Sequence, residues 1–479
     1  MSAAIPVPVI DQLRQIVGGD ALLSAYSERV VYECDGFVIE KNCPDVVVFP
    51  STTEQVAQVV RVCNAAALPI VPRGAGTSLA GGCLPVGGGV MIVLTRMKRI
   101  LEIDLRDRYA VVEPGVVNVW LTQALKGTGF HYAPDPSSQG ACTIGGNTAT
   151  NSGGPHTLKY GVTVNHVLGL EAVMADGSIA QFGGPCEDAP GLDLVGALVG
   201  SEGTLAIVTK IWVRLTRDPQ GCRTMLGIFD SADDATNAIS AIIGAGIIPA
   251  ALEMMDQGIV AAIEQAYHFG FPLDAQAVLL IEVDGLLAGL DEQRDRVVAL
   301  CQHHGAREVR QAKDAKERLL LWKSRKQAFG AIGRLSPSYC TQDGVVPRTK
   351  LPQILRRIYE IGAKHDLRIV NVFHAGDGNI HPILLFDERD ARQIARVLAA
   401  STEILDECIA CGGSVTGEHG IGVEKISFMK KLFTADDLQA MTHLRLAFNP
   451  AGRLSPAKML PTAGGCGMEQ FHPGRRAAL

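Results

Sequence analysis

Two glycine-rich stretches constrain this chain more than any other feature. The first, Pro72 to Gly82, reads PRGAGTSLAGG. The second, Pro134 to Gly161, reads PDPSSQGACTIGGNTATNSGGPHTLKYG. Each is flanked by segments that read as strands. The 52 glycines of the 479-residue chain cluster rather than spread. Clustered glycine marks backbone that must bend sharply or lie against a ligand. The first stretch is not a G-x-G-x-x-G fingerprint, because Leu79 stands where the third glycine belongs. No Gly-Lys-Ser/Thr follows, so it is not a Walker loop either. Its bare amides still suit pyrophosphate oxygens without a lysine. The second stretch reads as one long polar coil, beyond the ~12–15 residues of ordinary connections. With GSEGTLAIVTKI from Gly200, the two stretches predict a large ligand held mostly by backbone.

The flanking pattern sets the fold class. From Val46 the sequence reads β-α-β. DVVVFP is a buried strand, Ser51 and Glu54 have capping-box spacing, and Val56, Val59, Val60 and Cys63 share one helix face. LPIVPRG, MIVLTRM, ILEIDL and YAVVEPG read as further strands. VLGLEAVMADGSIAQF reads as a hairpin turning at Asp176-Gly177. After Asp218, SADDATNAISAIIGAG and LDEQRDRVVALCQHHGA read as helices covering an antiparallel sheet that includes AVLLIEVDG. The chain is expected to be α+β, in four segments: 1–45 helical, 46–217, 218–430 and 431–479.

Composition excludes other classes. The net charge is −6, and no basic run carries interleaved aromatics, so no nucleic-acid role is expected. Ala235 to Leu252 is the longest uncharged run. It holds Asn, Ser, Thr, Gly and Pro, and reads as a buried helix and turn rather than a membrane span. The N-terminus lacks the pattern of a signal peptide, and the 12 cysteines are irregularly spaced. Reduced thiols and a cytoplasmic location are expected. Cys408 and Cys411 form a single C-x-x-C, too few thiolates for an iron–sulfur cluster. His303-His304 beside Gly305 reads as a helix end.

VFHAGDGNIHP, Val372 to Pro382, places His374 and His381 at the ends of a tight turn between two predicted strands. A hairpin would bring them side by side. A His-x6-His pair alone is more often structural. GGSVTGEHGIG adds Glu418 and His419 in another glycine-rich turn. Two imidazoles and one carboxylate make a three-ligand set with open positions, the catalytic pattern for Zn²⁺ or Mn²⁺. WKSRKQAFGAIGRLSP offers Arg325 and Arg334, whose forked guanidinium suits a substrate carboxylate.

PRGAGTS, PDPSSQGACTIGGNTATNSGG, KYG and GSEGTLAIVT together resemble the FAD-binding domain of the vanillyl-alcohol oxidase (PCMH-type) family. FHAGDGNIHP, TGEHGIGVEK and FNPAGRLSPAKM resemble its D-2-hydroxyacid dehydrogenase branch. The resemblance runs from about Val46 to Met459. It implies a two-subdomain FAD domain, an α+β substrate domain over the flavin, and a C-terminal segment returning to the FAD domain. It implies non-covalent FAD, because PRGAGTS has no histidine to attach it. His156, in the second block, lies near the flavin on this reading. The implied cofactor contacts are Pro72, Arg73, Gly74, Ala75, Gly76, Thr77, Ser78 and Gly81 in the first loop. Pro134, Asp135, Gly140, Gly145, Gly146, Asn147, Asn151, Gly153, Gly154, Tyr160 and Gly161 follow in the second, then Glu202, Gly203, Ile207 and Asn449.

The resemblance assigns His374, His381 and Glu418 to the metal, His419 to the base and Arg325 to the grip on the substrate carboxylate, and Arg334 is kept beside it as a further catalytic candidate. The 2-hydroxyglutarate members carry a threonine where Phe329 stands, a lysine near Thr341 and an asparagine at Ile383. Their absence favours a small monocarboxylate. The implied reaction is oxidation of glycolate to glyoxylate, with D-lactate to pyruvate as the alternative. Electrons would pass to a quinone or respiratory carrier. The implied partners are a second flavin subunit and an iron–sulfur subunit of a glycolate oxidase complex. These would hold the chain in the cytoplasm or at the inner face of the membrane. Two rival readings stay open: a colourless metal hydrolase, and a flavin subunit without its own active site.

Overall fold

The computed structural model describes residues 5–186 and 190–461. The chain divides into two compact units. One comprises Met1–Gly153, Val162–Arg217 and Glu418–Leu479; the other comprises Gly154–Gly161 and Asp218–Gly417.

In the first unit, strands Val46–Val48, Val90–Val93 and Ile70–Arg73 run parallel, with Leu22–Leu23 antiparallel at one edge. Every residue of Val46–Val48 and Val90–Val93 is buried, as expected of a parallel sheet covered on both faces. Helix Thr53–Ala65 covers it with Val56, Val59, Val60 and Cys63. Its cap differs by one residue from the predicted capping box. Thr52 is the N-cap and accepts from the Gln55 amide at 3.2 Å, while Ser51 binds the Gln55 side chain instead. A second, antiparallel sheet runs in the order Ile100–Asp104, Tyr109–Val112, Ile207–Arg214, Val167–Val173, Ile179–Gly183. The Val167–Gly183 hairpin turns where predicted, with Gly177 at φ +83°.

The second glycine block is not one continuous coil. Ile144–Thr150 forms a helix capped by Thr143, and Thr157–Tyr160 forms another turn of helix. Glycine and threonine are poor helix formers, so packing decides: Ile144 is buried in the core, and the Gly145 amide donates to Pro114 O at 2.9 Å.

The C-terminal segment closes this unit, as the resemblance implied. Leu454 bridges Ile70 in parallel, and the Ser455 amide donates to Ile70 O at 2.8 Å.

The second unit is one large antiparallel sheet. Its order is Ala306–Gln311, Gly221–Phe229, Ala277–Gly285, Ala251–Asp256, Arg368–His374, Asn379–Phe386, Ser338–Thr341, with Gly344–Val345 also on Asn379–Phe386. Helices Gln257–Tyr267 and Ala328–Ile332 pack Ile259, Ile263, Ala328 and Ile332 onto Val370, Val372 and Ile383. Among the described residues, no helix is long and apolar enough to cross a membrane.

Candidate active site

The Arg368–His374/Asn379–Phe386 hairpin fixes the paired histidines. Val372 stands opposite His381 and His374 opposite Asn379. Side chains two apart on a strand share a face, so His374 and His381 sit diagonally on one face. Their ring centroids are 5.0 Å apart and the planes are perpendicular. Both are buried.

Each imidazole is oriented through the same nitrogen. His374 Nδ1 lies 2.9 Å from both oxygens of Glu253, and His381 Nδ1 lies 3.2 Å from Gln342 O. A carboxylate and a carbonyl can only accept here, so both rings carry their proton on Nδ1. In the neutral form of each ring Nε2 is then the lone-pair nitrogen. An acceptor bound to one ring nitrogen, which turns the other toward the ion, is how metal-binding histidines are held.

Glu253 adds a carboxylate that no sequence motif marks. It lies in Ala251–Asp256 and is fully buried. Arg325 Nη2 pairs with its Oε2 at 2.6 Å. Burial alone would raise its carboxyl, but His374 and Arg325 outweigh burial and hold it below the usual range. Arg325 is 1% exposed; its Nη2 meets Glu253 as an ion pair rather than an aligned hydrogen bond, and its Nε and Nη1 have no hydrogen-bond partner among the described residues. Arg334 differs from Arg325. It is exposed and donates to Gln265 O at 3.3 Å, so it is not part of this buried network.

Thr341 and Ile383 are direct cross-strand partners, and Ile383 lies two residues beyond His381 on the same face. Both are buried, and Thr341 Oγ1 has no partner among the described residues. Phe329 packs against the adjacent apolar core. Asp343, fully buried, accepts from Thr416 Oγ1 (2.6 Å) and from the Gly417 amide (2.9 Å). Its Oδ1 is 3.8 Å from His381 Nδ1. This anchors the peptide directly before Glu418 and His419. A Cβ on Gly417 would fall 2.5 Å from the side-chain amide nitrogen of Asn379, so a larger residue there would have to displace that buried side chain.

The loops of the first unit pack closely where glycine faces a neighbouring side chain. A Cβ on Gly74 would lie 2.6 Å from Thr143 Oγ1, and one on Gly203 would lie 2.4 Å from Pro72. Arg73 is buried, donates to Cys34 O at 2.9 Å and lies over the Tyr32 ring. Glu202 has φ +50°, and its carboxylate accepts the amides of Ile421 (2.7 Å) and Gly422 (2.8 Å). Burial raises this carboxyl, and those two amides partly offset it.

Some predicted cofactor residues make their bonds within the protein. Asn449 Nδ2 donates to Thr204 O and Leu454 O, and its Oδ1 accepts from Arg453. Ile207 is a buried strand residue opposite Val173. Asn151 Oδ1 accepts from the Val164 amide. Gly140 is exposed with open space around it. Gly154 to Gly161 belong to the second unit. There Tyr160 Oη donates to Asp284 at 2.6 Å, and His156 stacks on Trp322 at 5.1 Å beside Glu282.

The paired glycine loops of the first unit and the oriented imidazole pair of the second unit's sheet lie in segments that two family models match. Residues 44–183 match the FAD binding domain, and residues 218–459 match the C-terminal domain of FAD linked oxidases. The chain belongs to the FAD-linked oxidase family. It is 44% identical over 458 residues to glycolate oxidase subunit GlcD of Escherichia coli, covering 96% of this chain and 92% of that one. To the subunit of the same name in Bacillus subtilis it is 39% identical, covering 94% and 96%. To a probable mitochondrial D-lactate dehydrogenase of Danio rerio it is 31% identical, covering 94% and 91%. Among solved structures, p-cresol methylhydroxylase superposes with a TM-score of 0.81 at 19% identity, covering 94% and 96%. That likeness establishes the PCMH-type fold.

Proposed function

We propose that the chain oxidises a small 2-hydroxyacid, glycolate to glyoxylate, with FAD in the first unit and a divalent ion on His374, His381 and Glu418. The carrying observation is that His374 and His381 stand on one face of the hairpin and each meets an acceptor through Nδ1, the arrangement in which Nε2 is the coordinating nitrogen. Two imidazoles with one carboxylate suit Zn²⁺ or Mn²⁺ and leave coordination positions open. The flavin fits the loops at Gly74–Gly76, Gly145–Gly146 and Glu202–Gly203. Ser78 Oγ beside them is buried without a hydrogen-bond partner among the described residues.

Bound FAD supplies the two-electron acceptor, and the bound ion supplies Lewis acidity at the substrate hydroxyl. His419 takes the hydroxyl proton, a task suited to a group with an ordinary pKa near ~6.5. Arg325 offers Nε and Nη1 to the substrate carboxylate while Glu253 holds Nη2. Phe329, Thr341 and Ile383 provide no cation for a second carboxylate, which supports a monocarboxylate substrate. D-lactate is the second reading, supported by the D-lactate dehydrogenases among the relatives. One methyl separates it from glycolate, worth only ~1–3 kcal/mol in a pocket.

The relatives named as glycolate oxidase subunits support partners for this chain as well. We assign these as a second flavin subunit and an iron–sulfur subunit, passing electrons to a quinone or respiratory carrier. They would hold the chain at the inner face of the membrane. Steady-state assays with an artificial acceptor test the substrate. Turnover of glycolate above D-lactate, with none on D-2-hydroxyglutarate, is expected. Preference for D-2-hydroxyglutarate would overturn the proposal.

A further inference from the structure

We propose that Glu253 is a positioning residue of the metal site, joining the ligand His374 to the substrate-gripping Arg325 through one carboxylate. The inference rests on the metal reading above. Glu253 lies on a central strand between Leu252 and Met254, all fully or almost fully buried. An ionised carboxylate in such a place is costly unless it is paired and hydrogen-bonded. Both its partners are site residues: His374 Nδ1 at 2.9 Å and Arg325 Nη2 at 2.6 Å.

The arrangement does three things. The carboxylate fixes the His374 tautomer, so Nε2 carries the lone pair. Its charge makes the imidazole a better donor to a cation. By holding Nη2 it also fixes the direction of the remaining Arg325 donors. A simple counter-ion to Arg325 would do only the last. The geometry points to the first two, because both carboxylate oxygens reach the imidazole nitrogen.

The test uses the full FAD-loaded chain, stripped of metal and titrated with Zn²⁺ against a competing chelator. Glu253→Gln keeps the shape and an acceptor oxygen but removes the charge. Its Zn²⁺ affinity is expected to fall about 10- to 100-fold with FAD content unchanged. Glu253→Asp keeps the charge and is expected to lose less. Equal affinity in wild type and Glu253→Gln would overturn the inference and leave Glu253 as a counter-ion alone. So would failure of both variants to fold with FAD, which would mark a purely structural role. A wild-type chain that binds no stoichiometric Zn²⁺ would overturn the metal reading, and this inference with it.

Discussion

His374 and His381 face each other at 5.0 Å in perpendicular planes, each tethered through Nδ1. Replacing one imidazole removes one of the proposed ligands and leaves the glycine loops of the first unit unaltered in sequence. His381→Ala is therefore expected to keep a flavin absorbance spectrum, lose bound metal and lose turnover by at least ~100-fold. Metal analysis and a steady-state assay check it. Full activity in the variant would remove His381 from the site.

Glu202 ties the return segment to its unit by two charge-assisted bonds, to Ile421 and Gly422. Each such bond contributes about 1.5–3 kcal/mol. Glu202→Ala is expected to lose roughly 3 kcal/mol of stability and to release FAD more readily. Denaturant unfolding and flavin content after gel filtration measure both effects.

Two glycines of the second block respond oppositely. A Cβ at Gly145 would fall 2.4–2.8 Å from Pro114 atoms, including its carbonyl, whereas one at Gly140 meets nothing within 4 Å. Backbone cannot yield cheaply, so Gly145→Ala is expected to cost about 2 kcal/mol or more. Gly140→Ala is expected to melt like wild type. Thermal unfolding of the pair separates packing from flavin contact, because any loss of FAD in Gly140→Ala would then come from the loop alone.

Lys458 is fully buried, and burial pushes its ammonium from 10.5 down to about 8, partly opposed by Cys83, Glu202 and Asp35. Between pH 8 and 10.5 the folded lysine is neutral while the unfolded one still binds a proton. This group's contribution therefore rises with pH across that window, and is lost as pH falls through 8. The slope is at most ~1.4 kcal/mol per pH unit. Lys458→Met is expected to abolish it. Melting curves of wild type and variant at pH 7.5 and 9 check the difference.

The sequence made the histidine pair legible because a short glycine turn between two strand-like runs leaves one way to place its ends. The PRGAG loop and the Asp176-Gly177 hairpin were legible for the same local reason. Glu253 was not, because it lies 121 residues from His374 and sits in a run, ALEMMD, that reads as ordinary core strand. A lone glutamate inside such a run was the available signal. Arg325 and Arg334 look alike in sequence, and only burial separates them. The Ile144–Thr150 helix was hidden by weak propensity that packing on Pro114 overrides. Ser51 and Thr52 are adjacent small hydroxyl residues, and helix ends are read no better than that from sequence.

An anaerobic absorbance scan of the purified protein tests the central claim most directly. Glycolate is expected to bleach the flavin band near-completely in the untreated protein, and chelator pretreatment is expected to abolish the bleaching. Bleaching that chelator leaves intact would contradict the metal site. A yellow protein that neither glycolate nor D-lactate bleaches would contradict the assigned substrate class.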